Sequence, residues 1–166
     1  MPISISEADD LAVSGKDPST LGELLIAGKK VPPNATTLLM QDHAEVRALF
    51  RQYETETDDV TKAVLATKIC VALTVHAQIE EDVFYPAAGA ALEDDDPVNE
   101  AVDEHNEMKT KIAEIVRGAA PAKSLDTTVT ELMRIVEHHV MEEETEMFPD
   151  LRQSNVDLIE LGRMLA

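Results

Sequence analysis

The sequence predicts an all-α protein: an up-down-up-down four-helix bundle, with a short helix in an N-terminal extension and another short helix closing one end at the C-terminus. Three observations predict it. Ala, Leu, Glu and Met dominate a composition that is 44% hydrophobic but only 3% aromatic, which favours helix over sheet. Apolar residues recur in steps of three and four along four separate stretches, the stripe expected of bundle helices. The connections inside the first and last pair of stretches are short, so each pair folds back as an antiparallel hairpin. With 166 residues the chain is long enough for one core and too short for two comfortable ones.

Residues 1–34 read as an extension and residues 35–166 as the bundle with its end helix. In the extension, Asp17-Pro18 supplies an acidic cap followed by a proline at the first helical position, and LGELLIAG ends on a glycine. This predicts a short helix over roughly 18 to 27, and Pro32-Pro33 then breaks the chain. The first bundle helix, roughly 36 to 56, puts Leu39, His43, Val46, Phe50 and Tyr53 on one seam. The second, roughly 59 to 84, does so with Leu65, Ile69, Ala72, His76, Glu80 and Val83. AAGAALEDDD is a somewhat longer connection. Asp96-Pro97 opens a third helix to about Gly118, with Val98, Val102, His105, Ile112 and Val116 inward. The fourth, roughly 126 to 148, presents Val129, Leu132, Val136, His139, Glu143 and Met147. The segment from Ser154 is the closing amphipathic helix. Tyr53 and Tyr85 are expected to cap the packing.

The formal net charge is −19, from 33 acidic and 14 basic residues. Such a chain repels a phosphate backbone or an anionic membrane surface, which disfavours nucleic acid and lipid as partners and leaves cations as permitted ones. The N-terminus has no basic stretch followed by an apolar run, and no 18-residue apolar segment occurs, so neither a secretory signal nor a membrane span is expected. The single cysteine, Cys70, cannot close an internal disulfide and reads as a small buried hydrophobe. A cytoplasmic location is the expectation.

The helices carry a repeat. HAQIEEDVFYP at 76–86 and HVMEEETEMFP at 139–149 share His at the first place, Glu at the fifth and sixth, an aromatic at the tenth and Pro at the eleventh. His43 precedes His76 by 33 residues and His105 precedes His139 by 34. Each half is therefore a helical hairpin with one His on its first helix and His-x-x-x-Glu on its second. Residues at i and i+4 share a helix face, so His76 with Glu80 and His139 with Glu143 point inward, as do His43 and His105. Burying two carboxylates and four imidazoles is costly unless a cation supplies the missing positive charge. Imidazole and carboxylate without thiolate suit iron, manganese or zinc rather than calcium or magnesium. Four His and two Glu are too many for one ordinary ion and reasonable for two bridged by the carboxylates. The plainer alternative, a histidine satisfied within an apolar core, fits a lone His better than a matched set of four. His138, one position out of phase, is read as exposed or as lying behind a ligand, and Glu81, Glu142 and Glu144 as solvated. No His has a Glu three residues before it, which disfavours the ferritin-type site.

The pattern resembles the hemerythrin-like, HHE cation-binding family: His on the first helix, HAQIE on the second, EH on the third and HHVMEE on the fourth, over roughly 36 to 150. The resemblance implies a four-helix bundle around two iron ions, an oxo- or hydroxo-bridged di-iron centre. It implies that His43 and His76 bind one iron, His105 and His139 the other, and that Glu80 and Glu143 bridge. Oxygen-carrying members have a further His one turn after the third-helix ligand, where this sequence has Lys109. They also use an Asp five residues after the fourth-helix His, where this chain has Glu144 and the in-phase acid is Glu143. The function implied is binding of, or reaction with, O2, peroxide or nitric oxide, including peroxide- or nitric-oxide-consuming chemistry. The alternative is an iron or oxygen sensor whose bundle order follows metal occupancy.

Overall fold

The computed structural model describes residues 33–118 and 124–166 and, in the extension, the backbone of two short strands, β1 (Leu25–Ile26) and β2 (Lys29–Lys30). The chain divides into Met1–Val31 and Pro32–Ala166. In the first unit β1 and β2 pair antiparallel, Leu25 opposite Lys30 and Ile26 opposite Lys29. Most of the helix expected over roughly 18 to 27 lies outside the described residues; where the two overlap, at Leu25–Ile26, the backbone is strand rather than helix.

The second unit is the bundle. Helix α1 (Ala35–Thr55) begins where the Asn34 side chain accepts from the Thr37 N–H at 3.0 Å. Helix α2 (Asp59–Ile79) begins in the same way at Asp58, which accepts from the Thr61 N–H at 2.8 Å. Each cap satisfies an N–H that the helix itself leaves unpaired. Beyond α2 the chain passes through a π turn, Glu80–Phe84, into α3 (Tyr85–Ala91). Helix α4 (Asp96–Val116) has Pro97 in its first turn and ends before Gly118, whose φ of 75° is the left-handed conformation that closes a helix. Helix α5 (Leu125–Glu142), capped by Ser124, passes through a second π turn, Glu143–Met147, into α6 (Phe148–Gln153). Helix α7 (Leu158–Leu165) packs on α1 and on the first π turn. Contacts pair α1 with α2 and α4 with α5, as the short connections require.

The π turns explain where the helices outran the expected limits. Pro86 and Pro149 lack an N–H and crowd the carbonyl four residues back, so an unbroken α-helix could not pass them without cost. In both turns the hydrogen bond widens to five residues: the Tyr85 N–H donates to the Glu80 carbonyl and the Phe148 N–H to the Glu143 carbonyl. Helix then continues to Ala91 and to Gln153, and the connection between the hairpins shrinks. The extra residue also shifts the inward phase. Val83, expected inside, is half-buried, and Phe84 and Tyr85 are buried in its place. On α4, Ala101 and Met108 fill the seam, while Val116 in the last turn lies past the core and is exposed.

Two apolar clusters result. One gathers Val46, Phe50, Ile69, Leu73, Met108, Leu132, Val136 and Val140. The other gathers Leu39, Phe84, Tyr85, Ala101, Met147, Phe148, Leu151 and Leu161. His43 falls between Leu39 and Val46, and His105 between Ala101 and Met108, so the polar layer is sealed by apolar residues above and below. The continuous helical stretch Asp59–Ala91 is long and apolar enough to cross a membrane by length and composition. It owes this to Val60, Val64, Val71 and Val75 on its outer face, while its inner face carries the buried His76 and Glu80.

Candidate metal centre

The structure brings His43, His76, Glu80, His105, His139 and Glu143 into one layer. His76 is 6% exposed and the other five are 2% or less. Their inward atoms converge. The Nε2 atoms of His43 and His76 lie 3.1 Å apart, and those of His105 and His139 lie 3.2 Å apart. Each glutamate spans from one histidine pair to the other. Glu80 has Oε1 at 3.2 Å from His76 and Oε2 at 3.2 Å from His105. Glu143 Oε2 lies 3.2 Å from His43 and 3.6 Å from His139. Two clusters follow, His43–His76–Glu80–Glu143 and Glu80–His105–His139, each with one ligand atom per residue within 4.8 Å of the others.

The donor set fits a cation. Glu80 Oε1 and Glu143 Oε2 are buried and make no hydrogen bond, an arrangement that costs free energy unless a positive charge faces them. Protons supply part of that charge in the chain alone. Burial pushes His76 down, but Glu80, Asp42 and Glu143 outweigh it and carry the imidazole up to about 10. His139 is likewise raised, against burial, by Glu104, Glu143 and Glu80. Burial pushes Glu80 up, and His76, His105 and His139 hold it well below the usual carboxylate range. A metal ion would take over the role of these protons.

Each histidine is held from behind by a carboxylate. His43 Nδ1 meets Glu144 at 3.0 Å, His105 Nδ1 meets Glu81 at 2.8 Å, His139 Nδ1 meets Glu104 at 3.0 Å and His76 Nδ1 meets Asp42 at 3.4 Å. An Nδ1–H donating outward turns Nε2 inward as a ligand and makes it more basic. The two halves obey the same rule: the acid before the first His holds the partner helix's His, and the second Glu of the EE pair holds a His of the other hairpin. Glu81 and Glu144 are therefore not merely solvated. The signal for them is in the sequence, since both halves place an acid directly after the inward Glu.

Lys109 does not face the layer. Its Nζ donates to Glu81 at 2.6 and 2.7 Å, as Arg47 donates to Glu144 at 3.0 and 3.2 Å. Arg47 lies four residues after His43 and Lys109 four after His105, so the lysine is the counterpart of the arginine, a clamp on the carboxylate that orients His105. His138 is exposed as expected, at 2.7 Å from Glu104. Tyr85 is the residue that phase reasoning missed. Its hydroxyl donates to Glu143 Oε1 at 2.9 Å and lies 3.1 Å from His105 Nε2. Burial and the Glu80 and Glu143 carboxylates raise it well above the ordinary phenol range, so it keeps its proton. The matched position in the other half is Phe148, which stacks on His43 at 5.9 Å. The two histidine pairs are thus chemically unequal.

Among the cavities, one of about 10 Å³ abuts the layer, lined by His43, His76 and His139 with Leu73, Met108 and Val136. That is room for one water-sized molecule at most, between histidines and apolar side chains.

Comparison with known proteins agrees with this geometry. The Hemerythrin HHE cation binding domain family matches residues 34–151. A DNA nickase of Nostoc sp. is 30% identical over 121 residues, 73% of this chain, and the chain spans 34% of that protein's length. An uncharacterized protein of Mycobacterium tuberculosis, Rv2633c, is 26% identical over 137 residues, 80% of this chain and 83% of that protein. The crystal structure of a hemerythrin HHE cation binding domain-containing protein from Mycobacterium kansasii, a homolog of Rv2633c, superposes with a TM-score of 0.67 at 23% identity, over 80% of this chain and 83% of that one.

Proposed function

The chain belongs to the hemerythrin HHE cation-binding family, and from that premise we propose that its buried layer holds two iron ions at which O2, peroxide or nitric oxide binds or reacts. The observation that carries the reading is the sharing of Glu80 and Glu143 between two histidine pairs, the donor pattern of a bridged two-metal site. Nitrogen and oxygen donors without thiolate suit iron. Such a pair would supply a redox-active Lewis acid for a small oxidant or radical. His43 and His76 would hold one ion, His105 and His139 the other, and the four outer carboxylates fix the rings. Tyr85 keeps a proton at Oη beside Glu143 Oε1, within reach of anything bound near His105. The small cavity beside His43, His76 and His139, walled otherwise by apolar side chains, has no room for a large substrate. DNA nicking, named for the Nostoc relative, is not carried over, because a net charge of −19 opposes a polyanion. A reducing, cytoplasm-like compartment suits ferrous loading and the lone buried Cys70.

The test is direct: ferrous protein prepared without oxygen is exposed in turn to O2, peroxide and nitric oxide, and new charge-transfer absorption is expected. Spectra unchanged by all three would sink the reading. One observation favours a second reading, an iron or oxygen sensor. Helix α7 packs on the π turn that carries Glu80, so occupancy at that carboxylate can reach the C-terminal helix. Limited proteolysis with and without metal distinguishes the two: cleavage at α7 that depends on metal supports sensing.

A further inference from the structure

The matched halves of the bundle differ on one flank. At the positions where the second half carries Glu100, His138, Glu142 and Glu146, the first half has Leu38, Val75, Ile79 and Val83. The ligands and the acids behind them are duplicated; this set is not. It therefore serves something other than holding the buried ions, which both halves do alike.

Its geometry points to cations. Glu104, His138 and Glu142 bring one donor atom each to within 4.8 Å of one another. Glu104 stands between the surface and the buried layer: Oε1 meets His138 Nδ1 at 2.7 Å and Oε2 meets His139 Nδ1 at 3.0 Å. His138 Nε2 lies 3.5 Å from Glu142. Beside them a cavity of about 140 Å³ runs inward, lined at its rim by Asp94, Asp96, Glu100 and Glu146. Its wall also includes Glu104, Glu142 and two residues of the buried layer, His139 and Glu143. No basic side chain other than histidine lines it. Glu143 carries one of the two buried carboxylate oxygens without a hydrogen bond among the described residues. A low-dielectric cleft with walls of one charge focuses its field and concentrates counter-ions.

We propose that Glu104, His138 and Glu142 form a third, surface site for a divalent transition-metal ion, and that this site with its acidic cavity is the port through which the buried layer is loaded. Imidazole with two carboxylates selects ferrous-type ions over calcium or magnesium. On the opposite flank the equivalent places hold Val75 and Ile79, which have no metal-binding atoms. The proposal rests on the reading of the buried layer as a metal centre, and the experiment separates the two.

The probe is Co2+ added to the full-length apo-protein, with bound ions counted by equilibrium dialysis and filling of the layer followed by stopped-flow absorption. The double variant His138→Ala/Glu142→Gln leaves Glu104 in place, because Glu104 also holds His139. Glu45→Gln removes one carboxylate elsewhere on the surface, as Glu142→Gln does, as a control for net charge. The double variant is expected to lose one weakly held ion, keep the tightly held ones and fill them about tenfold or more slowly, while the control fills at the wild-type rate. An unchanged ion count with an unchanged rate overturns the port, as does equal slowing of the control. Loss of a weak ion in a protein whose buried layer never fills would instead overturn the metal-centre reading and leave the surface site standing.

Discussion

Replacing Glu144 by Gln tests whether the outer carboxylates tune the centre one metal at a time. Glu144 Oε1 lies 3.0 Å from His43 Nδ1, and glutamine is nearly isosteric with glutamate, so the substitution removes a charge with little change of volume. A hydrogen bond to a charged acceptor contributes about 1.5–3 kcal/mol and one to a neutral acceptor about 0.5–1.5 kcal/mol. The difference, about 1–1.5 kcal/mol, corresponds to roughly a tenfold loss of affinity, at the lower end of the 10–100-fold usual for residues that orient metal ligands. Arg47 keeps Glu137 at 3.3 Å, so little is added from that side. Because His43 belongs to one cluster and His105 to the other, the loss should fall on one ion. Competition with a chelator, read as two phases of metal release, should show one phase weakened about tenfold and the other unchanged. Glu81→Gln should weaken the other phase through His105. If both phases weaken equally, or neither moves, the assignment of one carboxylate to one histidine and one metal is refuted.

Tyr85→Phe removes the hydroxyl that donates to Glu143 Oε1 and should lower the stability of the apo-protein by about 1–3 kcal/mol, seen in the urea midpoint, without lowering the number of metal ions bound; an unchanged midpoint contradicts the hydrogen bond. The pH dependence of the apo-protein follows from His76, raised from 6.5 to about 10: its contribution is complete below pH 6.5 and is lost as pH rises toward 10. Glu80, lowered from 4.5, contributes above that value and loses its contribution as pH falls below it. Denaturant unfolding should therefore show the apo-protein losing stability from pH 6.5 to 9 and the metal-loaded protein holding it, and a flat apo profile contradicts this. Gly162→Ala places a Cβ 2.4 Å from the Pro33 carbonyl oxygen and 3.0 Å from the Ala35 nitrogen, both backbone. Overpacking of that kind costs about 1–3 kcal/mol, so a melting temperature equal to wild type would show that α7 does not dock on the start of α1.

The bundle and its inner layer were legible because period and composition act locally. His43, His76, Glu80, His105, His139 and Glu143 sit on the seams where steps of three and four put them, and the repeat of HAQIE in HVMEE made one pair a set. What lay beyond the sequence was set by a change of period. A π turn starting at Glu80 and another at Glu143 each add one residue, so Tyr85 reaches the centre and Val83 does not. The two prolines at 86 and 149 were the available signal, read as helix ends although a widened turn lets the helix pass them. Glu81 and Glu144 lie off the seams of their own helices, a position that reads as solvated. Their partners, His105 and His43, belong to other helices, and contacts between helices depend on packing that no single periodicity contains. Lys109 shows the same limit: beside the gap left by a missing histidine it suggests an incomplete ligand set, and its bond to Glu81 explains it as the counterpart of Arg47.

The most direct test of a two-metal centre is a count of metal in the full-length protein after anaerobic loading with ferrous ion and removal of excess, in wild type and in Glu80→Ala. Glu80 touches one histidine of each pair, so its loss should affect both positions at once. About two ions per chain are expected in wild type and almost none in the variant, with helical content retained in both. A variant that binds as much metal as wild type, or a wild type that binds none, would contradict it.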